Sequence, residues 1–185
     1  DITTDGNFLY VADSSNYAIR KISISTREVT TLAGDGTSGG YNEGIGVNIG
    51  RPYAISLMND YLYSYSSGNL QKISLDDGYV RNVTTVYQQN ISYVGGMTND
   101  GVHLWATSER DHTINKIDPN TGSFIVVSGD ADANGGNGCY YWQMPNETCD
   151  GQGLSAQYRT PMDIVSDGNF LYIADTQQPS IRKIE

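Results

Sequence analysis

The chain opens and closes on the same segment. Residues 1–22 read DITTDGNFLYVADSSNYAIRKI and residues 163–184 read DIVSDGNFLYIADTQQPSIRKI, identical at 14 of 22 positions with a constant offset of 162. A chain that repeats a segment of this size builds its fold from copies of one supersecondary unit. Weaker copies lie between: Tyr61-Leu62-Tyr63 leads to Leu70-Gln71-Lys72-Ile73, and His103-Leu104-Trp105-Ala106 leads to Ile114-Asn115-Lys116-Ile117. The Lys-Ile pairs at 21–22, 72–73, 116–117 and 183–184 are spaced 51, 44 and 67 residues apart. A unit of four short strands takes about 40–50 residues, so the long third interval holds an insertion.

Each unit shows the same order of strand signals. A short apolar run comes first (Tyr53-Ala54-Ile55-Ser56), then a polar turn, then an aromatic-rich strand (Phe8 to Ala12). A third strand follows around Ile19 to Ile24, and a β-branched fourth closes the unit, as in Val29 to Leu32 or Phe124 to Val127. The dipeptides Asp5-Gly6, Asp77-Gly78, Asp100-Gly101 and Asp167-Gly168 suit turns that need a positive φ. No stretch carries helical periodicity long enough to compete with this pattern.

Specific strings resemble the NHL-repeat β-propeller family. Val29-Thr30-Thr31-Leu32-Ala33-Gly34-Asp35-Gly36, then Gly39 to Gly46 and Arg51-Pro52, is similar to that family's connection between blades. Leu9 to Asp13 followed by Ile19 to Ile22 is similar to its second and third strands. The connection recurs as Gly129-Asp130, Asp150 to Gly153 and Arg159-Thr160-Pro161. The second unit departs most, lacking the Ala-Asp pair and the Gly-rich connection. The expected fold is all-β: one propeller-type domain over 1–185, with blades at about 1–51, 52–96, 97–161 and a partial one at 162–185. That is about 3.75 four-stranded blades, against about 4–8 in a closed ring and, by the resemblance, about six. Three readings follow: a fragment of a longer chain, a small ring with a short last blade, or edges completed by neighbouring molecules.

The net charge of −10 makes nucleic acid and anionic membrane surfaces poor partners, and no apolar stretch reaches membrane-spanning length. The chain starts at Asp1 without a signal-peptide pattern, and is read as a processed product or a piece of something longer. Cys139 and Cys149 lie ten positions apart with no zinc-type partners, and are read as a local disulfide. In the chain-entropy model such a loop contributes about 2–3 kcal/mol, and it implies an oxidising compartment. Sequons at Asn82, Asn90 and Asn146 are candidate N-glycosylation sites, Asn146 inside the Cys loop. Asp13 and Asp175 end strands ahead of polar turns, where a carboxylate accepts backbone N–H bonds.

Catalytic signatures are scarce. Propeller lyases and lactonase-like hydrolases gather several His or carboxylate ligands around a metal, whereas only His103 and His112 occur here, both in one unit. Asp130, Asp132 and Asn134 alternate like the start of a calcium loop, but Tyr141 stands where the closing Glu belongs. Calcium is therefore a weak candidate and no other cofactor is expected. Tyr140, Tyr141 and Trp142 in the Cys loop are candidate contact residues, since such side chains dominate protein interfaces. The expected function is a non-enzymatic, extracellular module acting through protein–protein contact, in a filament or adhesive assembly. The partner is another copy or further blades, with glycans as a further possibility. The alternatives are a fragment of an extracellular propeller lyase or hydrolase, and a carbohydrate-binding propeller.

Overall fold

A computed structural model describes residues 1–83, 91, 93–129, 150–177 and 179–185. The chain divides into two compact units, Asp1–Asn90 with Asn120–Gly122, and Ile91–Pro119 with Ser123–Glu185. Each is taken on its own below. Among the described residues the only helical pieces are two 3-10 turns, Ser14–Asn16 and Gly153–Ser155.

Unit 1 holds two antiparallel four-stranded sheets whose strands pair in chain order. Sheet 1 is β1 (Ile2–Thr4), β2 (Phe8–Asp13), β3 (Ala18–Ser23) and β4 (Val29–Ala33); sheet 2 is β5 (Ala54–Met58), β6 (Tyr61–Ser66), β7 (Asn69–Ser74) and β8 (Val80–Asn82). The all-β reading and its strand order hold. The turn glycines also take the backbone expected of them: Gly6, Gly78, Gly101 and Gly168 have φ between 73° and 94°. Tyr10, Ile19, Ile49, Ile55, Leu62 and Ile73 pack into one core shared by the two sheets. Polar ties run beside it: the Ile55 amide donates to Asp1 Oδ2 at 2.7 Å, and Lys21 Nζ donates to the Leu75 carbonyl at 3.3 Å.

Unit 2 holds sheet 3, made of β9 (Val94–Asn99), β10 (Leu104–Ser108), β11 (Thr113–Ile117) and β12 (Phe124–Ser128). Sheet 4 has three strands, β13 (Pro161–Ser166), β14 (Leu171–Asp175) and β15 (Ser180–Ile184). Among the described residues, sheets 1 to 3 thus have four strands each and sheet 4 has three. Ile114, Ala156, Tyr158, Ile164 and Ile173 form the core. Gly95 and Gly96 lie inside β9, where β13 packs directly on them. A Cβ on Gly95 would sit 2.2 Å from the Met162 carbonyl oxygen, and one on Gly96 2.9 Å from Asp163 Cα.

The first and third sheets close alike. In each, the register slips once between strands three and four, between Ile19 and Arg20 and between Ile114 and Asn115. Strand four then ends on a small residue, Ala33 opposite Ile19 and Ser128 opposite Ile114. A glycine follows with φ of 100° (Gly34) or 92° (Gly129). A Cβ on either would stand 2.3 Å from a carbonyl oxygen, that of Tyr17 or His112. Positive φ and a backbone neighbour together admit only glycine there.

Candidate interaction site

Each sheet carries the same polar outer dressing. The lysine of every Lys-Ile pair lies over aromatic rings of the neighbouring strand: Lys21 over Phe8 (4.4 Å), Lys72 over Tyr61 (3.8 Å), Lys116 over Trp105 (5.4 Å) and Lys183 over Phe170 (3.5 Å). Pairing across the strands sets this up, because Tyr10, Tyr63, Trp105 and Tyr172 stand directly opposite those lysines. Each contact contributes about 0.5–1 kcal/mol at such half-exposed positions. Sequence reading marked the lysines only as punctuation; the signal was the aromatic that accompanies each of them.

The Asp-Gly turns build a second repeated device. Asp5 accepts the amides of Asn7 and Phe8 and the Tyr10 hydroxyl at 2.7–2.8 Å. Asp167 does the same with Asn169, Phe170 and Tyr172 at 2.8–3.0 Å. Asp100 holds the amides of Val102 and His103 and the Trp105 indole N–H at 2.7–2.9 Å. Partial burial pushes the Asp100 carboxyl up. The His103 amide, the Trp105 N–H, the Val102 amide and the His103 ring together outweigh that and hold it at about 2. Asp5 and Asp167 are lowered too: burial again opposes the turn amides at Asp5, while at Asp167 those amides lead. A carboxylate lowered in the folded state stabilises it above the unfolded pKa, and that stability drains away as pH falls through the folded value. Urea midpoints are thus expected to fall steeply between pH 4 and pH 2. Asp100→Asn removes its share of the slope, and an unchanged slope counts against the turn's role.

At the strand ends, charge is kept in pairs. Asp13 accepts Asn16 Nδ2 and Arg20 Nε at 2.9 and 3.0 Å. The buried Asp175 takes the amides of Arg159 and Thr160 at 2.8–3.1 Å, with Arg182 3.8 Å away. At the same repeat positions the second and third sheets have Ser66 with Gln71 and Ser108 with Asn115. Acid and base leave together, so no charge is stranded in the interior. This explains the missing Ala-Asp pair of the second repeat. It also gives Asp175 the backbone-accepting role expected of it, while Asp13 is met by side chains.

Among the described residues no group of three or more His, Cys, Asp or Glu gathers to hold a metal. His103 Nδ1 lies 3.6 Å from Asp100, and His112 sits in a turn at φ 57°. The calcium candidates Asp130, Asp132 and Asn134, the cysteines Cys139 and Cys149, the loop aromatics Tyr140, Tyr141 and Trp142, and the sequon residues Asn90 and Asn146 lie outside the described residues. Asn82 is in β8, where its amide donates to the Tyr41 carbonyl and accepts from Gln71 Nε2, both at 2.9 Å.

A cleft of about 210 Å³ opens in unit 2 beside Asp100, Trp105, Phe170, Leu171 and Glu185. In unit 1, Leu57 and Leu75 pack against the core. Ser166, a cleft-lining residue, stands in sheet 4 where Leu57 stands in sheet 2, each opposite a leucine. The oxygens of Asp100 are already engaged by its turn, so the cleft offers mainly apolar surface.

The feature that sets sheet 4 apart is its outer strand. Ile19, Leu70 and Ile114 occupy one repeat position in sheets 1 to 3, two residues before the lysine, and all are 0% exposed. Ile181 holds that position in β15 and is 72% exposed. In the first and third sheets strand four covers this residue, and Ile49 or Ala156 and Tyr158 close over it. Among the described residues nothing pairs with the outer side of β15.

Comparison with known proteins identifies the architecture. A family model, the LVIVD repeat, matches residues 1–19 and 159–178, which overlap the two copies that the sequence duplicates. The chain aligns over its whole length with glutaminyl cyclase from Myxococcus xanthus (TM-score 0.62, 16% identity, 70% of that chain). It also aligns over 99% of its length with virginiamycin B lyase from Staphylococcus aureus (TM-score 0.57, 15% identity, 54% of that chain). These are β-propeller blades. At such identities the likeness is one of fold alone. Among curated proteins, Arabidopsis thaliana Protein SUPPRESSOR OF QUENCHING 1, chloroplastic, is 24% identical over 97% of this chain and 19% of its own length. The blades thus span about half of the lyase and about a fifth of the plant protein.

Proposed function

We propose that this chain works through protein–protein contact rather than catalysis, as an extracellular structural or interaction module. Its contact surface is the outer edge of blade 4, taken up by a neighbouring molecule in a filament or adhesive assembly, or by further blades of a longer chain. One observation carries the reading: Ile181 is 72% exposed where its three counterparts are fully buried. An open strand with an apolar residue on it is a template for another chain. Placement outside the cytoplasm is supported by Cys139 and Cys149, ten positions apart, and by the sequons.

Sedimentation and negative-stain electron microscopy test this. Association that rises with concentration is expected for the native sequence, and its loss in Ile181→Asp with an unchanged circular dichroism spectrum. A chain that sediments as a monomer at every concentration and forms no fibres overturns the proposal.

A further inference from the structure

We infer that one face of blade 2 holds a docking site for an acidic protein segment, formed by Lys72 and Arg81 between Tyr61 and Tyr79. The inference takes protein contact from the reading above and adds a second surface, in unit 1, with the chemistry of its partner. It starts from two exchanges in the repeat. Counted from the Lys-Ile pairs, Asp5, Asp100 and Asp167 stand three residues before Phe8, His103 and Phe170, and blade 2 has Met58 there. In blades 1 and 4 that aspartate and the lysine of the pair attract one another. The residue paired with the lysine is Thr30 in blade 1 and Ile125 in blade 3, but Arg81 in blade 2. Beside the same lysine, blade 2 has lost a carboxylate and gained a guanidinium, in a chain whose net charge is −10.

Strand pairing gathers the four side chains on one face. Tyr63, Lys72 and Arg81 form one row across β6, β7 and β8, and Tyr61, Ser74 and Tyr79 form the next. Neighbours in a row stand about 5 Å apart at Cβ, and residues two apart along a strand share a face. Lys72 Nζ lies 3.8 Å from the Tyr61 ring centre, and the Arg81 guanidinium 5.4 Å from that of Tyr79. Both tyrosines and Arg81 are exposed. Like charges directly opposite weaken a strand pair. Among the described residues no carboxylate forms an ion pair with either cation. Asp77 in the adjoining turn accepts the Tyr79 amide instead, at 2.9 Å. An anion that bridges Lys72 and Arg81 turns their repulsion into two attractions. The cations cover ring faces on which a neutral sugar would stack, and a lone carboxylate would leave one cation unmatched. Two carboxylates, at positions i and i+2 of an extended segment, match both.

A fluorescein-labelled peptide of alternating glutamate and alanine, with three glutamates, is the probe. Titrated with the full chain in about 20 mM salt and followed by anisotropy, it is expected to bind, and to bind more weakly as salt rises to about 150 mM. Arg81→Thr installs the residue of blade 1. It is expected to weaken binding about tenfold or more, and to raise the urea midpoint at low salt by relieving the repulsion. Arg51→Thr is the control, since it removes an equal charge that also lies over a tyrosine, Tyr53 at 5.6 Å, and is expected to leave binding unchanged. Equal binding by the native chain and Arg81→Thr overturns the inference, as does an equal loss in Arg51→Thr. A lowered midpoint with unchanged binding marks Arg81 as a packing residue and overturns it too. Displacement of the peptide by inorganic phosphate, beyond that by chloride at the same ionic strength, overturns the acidic segment in favour of a phosphate group. If the chain self-associates through β15 but does not bind the peptide, this site falls and the edge of blade 4 stands. If it binds the peptide by the rule and stays monomeric, the site stands and self-association falls.

Discussion

Aspartate at residue 19 and aspartate at residue 181 are expected to have opposite outcomes, although the two isoleucines hold one position of a duplicated segment. Ile19→Asp places a carboxylate in a fully buried site among Tyr10, Ala33, Ile49 and Ile55. No cation lines that core, so the substitution forfeits the isoleucine's burial and strands a charge. The combined cost is about 5 kcal/mol, enough to unfold a domain of ordinary stability. Ile181→Asp acts on a residue that is 72% exposed, and is expected to move the urea midpoint by no more than about 0.5 kcal/mol equivalent. The measurement is a pair of urea melts on the two variants. Equal destabilisation would mean that β15 is already covered in the isolated chain.

The second large effect concerns how blades 3 and 4 meet. Gly95→Val is expected to cost about 3 kcal/mol or more, because every atom that the new side chain meets first belongs to the Met162 backbone, at 2.2–3.0 Å. Backbone in a paired strand has nowhere to retreat, so β9 and β13 must part. Gly6→Ala is the control for backbone strain alone: φ is 91°, but nothing lies within 4 Å of the added carbon. It is expected to cost about 1 kcal/mol. Comparable losses in the two variants would show that close approach of the strands is not what keeps Gly95.

Much of this architecture was legible in the residues. The duplicated segment, the Lys-Ile spacing and the Asp-Gly turns lead to the strand order within each sheet. Local chemistry decides those features, and local chemistry is what a sequence displays. Gly95-Gly96 is the opposite case. Glycine is depleted in strands, so nothing in the pair itself marks β9, and its reason is a neighbour 67 residues away. The lysine clamps were half visible, since the lysines repeat but their ring partners change among Phe, Tyr and Trp. The exposed Ile181 was not visible at all. Its sequence context is that of the buried Ile19, and only the pairing of β15 separates them.

Amide hydrogen exchange at β15 across a range of protein concentrations tests the central claim most directly. The Ile19 and Lys21 amides of β3 serve as the internal reference, because β4 covers them in the same molecule. The account predicts fast exchange at Ile181 and Lys183 in dilute solution. It predicts slow exchange at high concentration, with β3 protected throughout. Exchange at β15 that is equally fast at every concentration would contradict it.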